Sequence, residues 1–234
     1  MFDLIAFDAD DTLWHNEDLY RDARAQFDRL LAPYDPPPDL EDIIHATEMA
    51  NLPYFGFGVN SFILSLIEAA VAITGGRVEG AAIGRLIDVA KGMISADIRL
   101  MDEVEDTLAA LSAGYPLLLI TKGDLLHQQD KVARSGLGRY FSGVEVVSDK
   151  TAATYADILR RRGVAPARFL MVGNSLRSDI VPVAELGGQA VYVPIENTWV
   201  YDHVPVPDGL PGVVHQVRRL GEVVGLVRGL AEAA

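Results

Sequence analysis

The fold of this chain is decided by residues 4–13, which read LIAFDADDTL. Four consecutive apolar residues are typical of a strand buried on both faces of a parallel sheet, and two carboxylates, Asp8 and Asp10, follow within three residues. Charged side chains are rarely buried without a partner, because taking them out of water is costly. We therefore expect these acids to meet a divalent cation with a negatively charged substrate beside it.

The composition narrows the class of protein. Of the 234 residues, 50% are hydrophobic and 23% are charged, which allows a sizeable core. The formal net charge of -13 argues against nucleic acid or a membrane surface as the partner. Because there is no cysteine, disulfides, thiolate zinc sites and cysteine nucleophiles are excluded. The sequence contains no recognisable signal peptide or membrane span, so a cytoplasmic protein is expected.

Short apolar runs recur along the chain, each followed by a turn and a helical pattern. Strands of this kind alternating with helices are typical of a parallel sheet covered on both faces. The predicted fold class is therefore α/β, with a Rossmann-like parallel sheet core and helices on both faces. The predicted strands are Leu4–Phe7, Leu117–Ile120, Val144–Val147, Phe169–Val172 and Ala190–Val193.

Between the first two strands the periodicity is helical. This predicts an inserted all-helical cap over residues 15–99, with the α/β core formed by residues 1–14 and 100–234. Residues 51–58, NLPYFGFG, are predicted as a loop of the cap whose aromatics either contact a substrate or pack within the cap. After a proline-rich loop, a last helix is predicted over Val213–Leu230.

Ligands of open parallel sheets bind at the carboxyl ends of the strands. The residues there supply carboxylates for a metal, a hydroxyl and a lysine, a set suited to phosphoryl transfer. They are Asp8, Asp10, Thr12, Thr121, Lys122, Lys150, Gly173, Asn174, Ser175 and Asp179.

Four motifs together resemble those of the haloacid dehalogenase superfamily, in that family's order. They are DADDTL at residues 8–13, Thr121, Lys150 and GNSLRSD at residues 173–179. The helical region resembles that family's helical cap. The resemblance implies a hydrolase of the phosphatase-like branch, with magnesium as cofactor and a small phosphorylated metabolite as substrate.

The first motif supplies the reacting groups. Asp8 is the candidate nucleophile, since a carboxylate that stays ionised beside a metal can form an acyl phosphate. Asp10 is the candidate acid/base, and it is expected to carry a proton while Asp8 does not, because two neighbouring carboxylates push one pKa upward. Asp11 is predicted to be a solvated turn residue, and Thr12 to hold the turn by hydrogen bonding.

The other motifs supply substrate and metal contacts. Thr121 and the backbone N–H groups after it are predicted to hold phosphoryl oxygens, with Lys122 a backbone donor whose side chain is free. Lys150 supplies a positive charge to the phosphate and to Asp8. The predicted magnesium set is Asp8, Asp10 (through its main-chain carbonyl, as the resemblance implies), Asn174 and Asp179.

Alternatives remain at this point. Dehalogenases of the superfamily use the same nucleophile without a metal and replace the second acid of the first motif, so Asp10 favours a phosphatase. Asn174 and Ser175 favour a dehalogenase, and Asn174 stands where similar phosphatases commonly carry aspartate. A mutase or a binding module on the same fold is also possible, and an apolar cap face could support a homodimer. Trp199 and Tyr201, near His203, are placed at the mouth of the site, and Trp14 is expected to pack.

Overall fold

The computed structural model describes residues 1–195, 199–202 and 204–232. The chain divides into two compact units. The first consists of Met1–Glu17, Ile98–Thr121 and Gln128–Ala234, and the second of Asp18–Asp97 and Lys122–His127. In the described part of the chain, none of the helices combines the length and apolar character needed to cross a bilayer.

The first unit contains a six-stranded sheet in the order β3-β2-β1-β4-β5-β6. β1 lies at the centre and pairs in parallel with β2 and β4, and β5 pairs in parallel with β4 and β6. The predicted α/β fold with a parallel sheet is confirmed. The strands are β1 (Leu4–Phe7), β2 (Leu117–Lys122), β3 (Gly143–Val147), β4 (Phe169–Gly173), β5 (Gln189–Tyr192) and β6 (Val213–Gln216).

Helices cover both faces of this sheet. Successive side chains of a strand point to opposite faces, so Ile5 and Phe7 of β1 pack in one buried cluster while Leu4 and Ala6 pack in another. Helices α5 and α9 contribute to the first cluster, and α7 contributes to the second. The helices of this part of the chain are α5 (Val104–Ser112), α6 (Leu125–Ser135), α7 (Ala152–Arg162), α8 (Val181–Glu185) and α9 (Glu222–Glu232), after α1–α4 of the second unit.

The last part of the chain differs from its prediction. Val213–Gln216 is not helical but forms β6, with Val213 aligned to Gln189 of β5, and the final helix begins only at Glu222. A pair of β-branched residues fits a strand at the sheet edge. The predicted helix therefore extends too far towards the N-terminus.

The second unit contains α1 to α4, which bury an apolar core of their own. Phe27, Ile44, Leu66 and Leu86 are almost fully buried in it. A partly buried ion pair also lies within this unit, where Arg24 Nη2 is 2.6 Å from Glu48 Oε1. The helices are α1 (Glu17–Leu31), α2 (Leu40–Phe55), α3 (Val59–Ile73) and α4 (Gly80–Ser95).

The aromatic segment of the second unit is partly helical. Residues 51–55 belong to α2, so the predicted loop over 51–58 is shorter than expected. Tyr54 and Phe55 are exposed, which contradicts the alternative that these two rings pack within the helical bundle. Asn51 is the buried member of the segment, and it donates to Ser65 Oγ and Glu68 Oε2.

Candidate active site

A tight turn follows β1 and carries the first motif. The N–H groups of Leu13 and Thr12 donate to the carbonyl of Ala9, and Asp11 adopts a positive φ of 61°. The carboxylate of Asp11 accepts the N–H groups of Asn16 and Glu17. Asp11 is therefore a structural capping residue, and its prediction as a solvated side chain was wrong. Burial raises its pKa to about 6, against the opposing effect of these hydrogen bonds.

Asp8 lies at the end of β1 in a buried ion-pair cluster. Lys150 Nζ donates to Asp8 Oδ1 and, over 2.7 Å, to Asp179 Oδ1. All three side chains are at least nine-tenths buried. Lys150 directly precedes the N-cap residue of α7, Thr151, whose hydroxyl accepts the N–H of Thr154. The structure thus brings together three residues that lie far apart in the sequence.

Asp179 is held by the loop after β4. Its Oδ2 accepts the N–H of Ser175 over 3.0 Å, and its carboxylate lies so close to Gly173 that any Cβ at that position would collide with it. Ser175 accepts the N–H of Ser178 and donates its hydroxyl to Asp202 Oδ1 over 2.6 Å. The glycine of the fourth motif is therefore required by the close approach of Asp179.

Asp10 lies in a different environment from Asp8. Its Oδ1 accepts Trp14 Nε1 over 2.6 Å and Lys131 Nζ over 2.5 Å, and its Oδ2 accepts Gln128 Nε2 over 2.8 Å. Trp14 thus packs as predicted and also donates to Asp10. Gln128 and Lys131 were not predicted as site residues. Their spacing of three on α6 places them on one helix face, but this spacing alone also fits a solvated helix.

The pKa values of the two acids are shifted in directions opposite to those predicted. Burial raises the pKa of Asp8 to about 7, although Lys150 opposes this shift. Burial would also raise the pKa of Asp10, but Lys131 and the hydrogen bonds from Gln128 and Trp14 outweigh it, and the pKa lies below its usual value of 3.8. The expectation of a raised pKa for Asp10 was therefore wrong, because Lys131 and the two other donors outweigh the effect of burial.

Three oxygen atoms converge on the side-chain amide of Asn174. With its nitrogen facing them, the amide donates to Asp8 Oδ2 over 3.2 Å, to the main-chain oxygen of Asp10 over 3.3 Å and to Thr12 Oγ1 over 3.1 Å. A half-turn of the amide would present its oxygen to the same place. Carboxylate, main-chain and amide oxygens are ligands that magnesium accepts, together with waters. These residues therefore fit a magnesium ion.

The other predicted metal contacts are less direct. The carboxylate of Asp10 is bonded to α6 and Trp14, so only its main-chain oxygen belongs to this set. Both oxygens of Asp179 already accept hydrogen bonds, from Lys150 and Ser175. Within the described residues, no three side chains of histidine, cysteine, aspartate or glutamate come together as a metal site. Besides Asp8, the magnesium ligand set thus depends on the amide of Asn174 and on the main-chain oxygen of Asp10.

Thr121 and Lys122 end β2 beside β1. Phe7 of β1 is aligned with Leu119, so Thr121, which is buried, follows at the same end of the sheet as Asp8. Lys122 is grouped with the second unit, where its Nζ lies 4.2 Å from the ring centroid of Phe57. The expectation that the side chain of Lys122 is free was therefore wrong.

The loop after β5 contains the aromatics that were placed at the mouth of the site. The rings of Trp199 and Tyr201 lie 4.8 Å apart, and the guanidinium of Arg177 lies 4.3 Å from the Tyr201 ring. This contact joins the loop to the fourth motif. His203 lies outside the described residues.

The chain is similar in sequence to known hydrolases. A family model described as haloacid dehalogenase-like hydrolase matches residues 2–187. The glyceraldehyde 3-phosphate phosphatase of Methanothermobacter thermautotrophicus is 32% identical over an alignment of 151 residues, and the match covers 58% of this chain. The matched region spans 66% of that protein, slightly less than two thirds of its length.

Solved structures of similar proteins cover almost the whole chain. A haloacid dehalogenase-like family hydrolase from Xanthomonas campestris is 37% identical, with a TM-score of 0.86, over 99% of this chain and 93% of that one. A 2-haloacid dehalogenase from Pseudomonas syringae pv. Tomato covers 100% of both chains with a TM-score of 0.64 and 23% identity. At that identity, the likeness concerns the fold alone.

Proposed function

The chain belongs to the haloacid dehalogenase-like family of hydrolases, and from this premise we propose that it is a magnesium-dependent phosphatase acting on a small phosphate monoester. The observation that carries the proposal is the convergence of an Asp8 carboxylate oxygen and the Asp10 main-chain oxygen on Asn174, with Lys150 bonded to Asp8 on its other oxygen. A buried carboxylate between a lysine and a set of metal ligands is suited to attack an anionic phosphoryl group.

The first proposed step transfers the phosphoryl group to the protein. An oxygen of Asp8 attacks phosphorus and the bond to the alcohol oxygen breaks, which leaves an aspartyl-phosphate. Thr121 and Lys150 are proposed to hold the phosphoryl oxygens. Asp10 is proposed to protonate the departing oxygen, but it must first take up a proton itself, because its pKa is lowered in the free protein.

The second proposed step hydrolyses the aspartyl-phosphate. Water attacks phosphorus, the bond to Asp8 breaks, and the ionised carboxylate of Asp10 accepts the proton of the water. Lys150 remains next to Asp8 and balances the charge that returns to it. Magnesium, when bound, would neutralise negative charge on the phosphoryl oxygens.

Two findings support a phosphatase over a dehalogenase. A curated relative with 32% identity is a phosphatase, and Asp10 is present as a carboxylate with buried partners rather than replaced. A dehalogenase displaces a halide, so it needs neither an acid to protonate a leaving oxygen nor a metal. The presence of Asn174 beside Ser175 is the feature that still favours the dehalogenase as a second candidate.

The experiment that tests the proposal measures phosphate release from p-nitrophenyl phosphate and from a panel of phosphorylated metabolites. Magnesium should be required, and a chelator should abolish release. The same protein should release no halide from 2-chloropropionate. Chelator-resistant halide release without phosphate release would show a dehalogenase instead.

Replacing Asn174 by aspartate should strengthen magnesium binding. A carboxylate at this position adds a negative charge to the ligand set, so the magnesium concentration for half-maximal activity should fall by about tenfold. Without magnesium the melting temperature of Asn174→Asp should fall, because the added negative charge faces the carboxylate of Asp8. Gln26→Glu, which adds the same charge on an exposed helix face, is the matched control. Equal magnesium requirements of wild type and Asn174→Asp would contradict the proposed role of Asn174.

A further inference from the structure

The carboxylate of Asp10 is held by three nitrogen donors from two parts of the first unit. Trp14 comes from the turn after β1, while Gln128 and Lys131 come from α6. All three donor side chains are more than nine-tenths buried. Lys131 Nζ also donates to Asn16 Oδ1 over 3.2 Å, so it joins Asp10 to the end of the same turn.

With these three donors bound, the carboxylate of Asp10 has one lone-pair position left that can accept a further hydrogen bond. A carboxylate offers about four lone-pair positions, two on each oxygen. Lys131 and Trp14 occupy both positions on Oδ1, and Gln128 occupies one on Oδ2. In the described part of the chain, these are the donors to this carboxylate, so the open position is on Oδ2.

Burying Lys131 next to Asp10, the second acid of the motif, costs free energy. Taking an ammonium group out of water costs several kcal/mol, which only a well-placed partner offsets. Lys131 is only 4% exposed, and its Nζ lies 2.5 Å from Asp10 Oδ1. A surface lysine could not restrict the carboxylate in this way, because water would compete for both groups.

We propose that Lys131, together with Gln128 and Trp14, is a positioning group that aims Oδ2 of Asp10 at the attacking water in the hydrolysis of the aspartyl-phosphate. The inference rests on the proposed function. In this step the water oxygen bonds to phosphorus, the bond between phosphorus and Asp8 breaks, and the proton of the water passes to Oδ2. A base that is misplaced by about 1 Å can lose roughly 10²-fold in rate.

The test separates the two chemical steps with p-nitrophenyl phosphate and magnesium. Its leaving group needs no proton, so kcat/KM reports attack by Asp8, whereas steady-state turnover also includes hydrolysis of the aspartyl-phosphate. Lys131→Met should lower kcat by about 10²-fold and change kcat/KM by less than about tenfold. Rapid mixing should show a stoichiometric burst of nitrophenolate, and intact-mass spectrometry should detect the phosphorylated protein.

Two further variants make the result independent of the folding of Lys131→Met. Trp14→Phe keeps an aromatic side chain but removes the indole N–H donor, and it should show the same burst with a smaller loss of kcat. Lys131→Arg keeps the positive charge and should recover part of kcat. Lys91→Met, in an exposed pair with Asp88, is the matched control and should behave as wild type. Melting temperatures are measured for all variants.

The outcomes distinguish this inference from the proposed function. Phosphate release by wild type, with kcat and kcat/KM falling in parallel and no burst in Lys131→Met and Trp14→Phe, would overturn the positioning role alone. Unchanged kcat in both variants would also overturn it. A wild-type protein that releases no phosphate from p-nitrophenyl phosphate or from the metabolite panel would overturn the proposed function and, with it, this inference.

Discussion

Replacing Asp8 by asparagine is expected to abolish turnover while leaving the protein folded. Asparagine keeps the shape of the side chain but cannot form the acyl phosphate, so kcat should fall by about 10⁵-fold or more, as in other enzymes that lose their nucleophile. Lys150 keeps its second partner, Asp179, at 2.7 Å. The buried ammonium is therefore not left unpaired, and the free energy of unfolding should change by only about 1 kcal/mol.

The measurement for Asp8→Asn combines phosphate release, a burst assay and urea unfolding. No burst is expected, because the first step is lost, and this separates the variant from Lys131→Met, in which the second step is slowed. Asp22→Asn, on an exposed face of α1, is the matched control. Activity of Asp8→Asn within about tenfold of wild type would show that another group is the nucleophile.

The sequence predicted the central strands and the convergence of distant residues because parallel sheets have a simple geometry. Their strands all end at one edge, so Lys150 could be placed beside Asp8 although 142 residues separate them. Residues of the first motif also have few structural roles other than a place in a functional site. An acid directly after a buried strand is rarely a surface residue.

The partners of Asp10 could not be predicted for a physical reason. Gln128 and Lys131 lie one helical turn apart on α6, a spacing that describes a solvated face as well as a buried one. Only the packing of α6 against the turn after β1 decides between these possibilities. The prediction for the pKa of Asp10 was wrong for the same reason, since the sequence supplied the neighbouring carboxylate but not the neighbouring lysine.

The edges of the fold were also harder to predict than its centre. Val213 and Val214 form a short strand that pairs with β5, yet two apolar residues before a helix fit the start of that helix equally well. Lys122 ends a predicted strand, but its ammonium lies over Phe57 in the second unit. A contact of this kind depends on tertiary packing and leaves no local pattern.

Replacing Lys150 by methionine is expected to have the largest effect on stability. The change leaves Asp8 and Asp179 buried without the ammonium that bonds to both. Breaking a buried ion pair by removing one partner costs about 3–5 kcal/mol, and urea unfolding followed by circular dichroism should show this loss. Phosphate release should fall by about 10³-fold, because a positive charge at the phosphoryl group is lost. Lys150→Arg should recover much of the stability but less of the activity, since its planar group differs in geometry from an ammonium.

The stability loss of Lys150→Met should depend on pH in a known direction. The pKa of Asp8 is about 7 in the folded protein and 3.8 when the side chain is fully hydrated, as in the unfolded chain. This group therefore contributes stability below pH 3.8 and loses it as the pH rises through 7.

Without Lys150, which opposes the shift, the pKa of Asp8 rises further. The difference in the free energy of unfolding between variant and wild type should therefore be largest at alkaline pH and should narrow as the pH falls. Lys91→Met, whose exposed pair is worth under about 1 kcal/mol, should show no such slope. A deficit that grows on acidification would contradict a buried, charged Asp8.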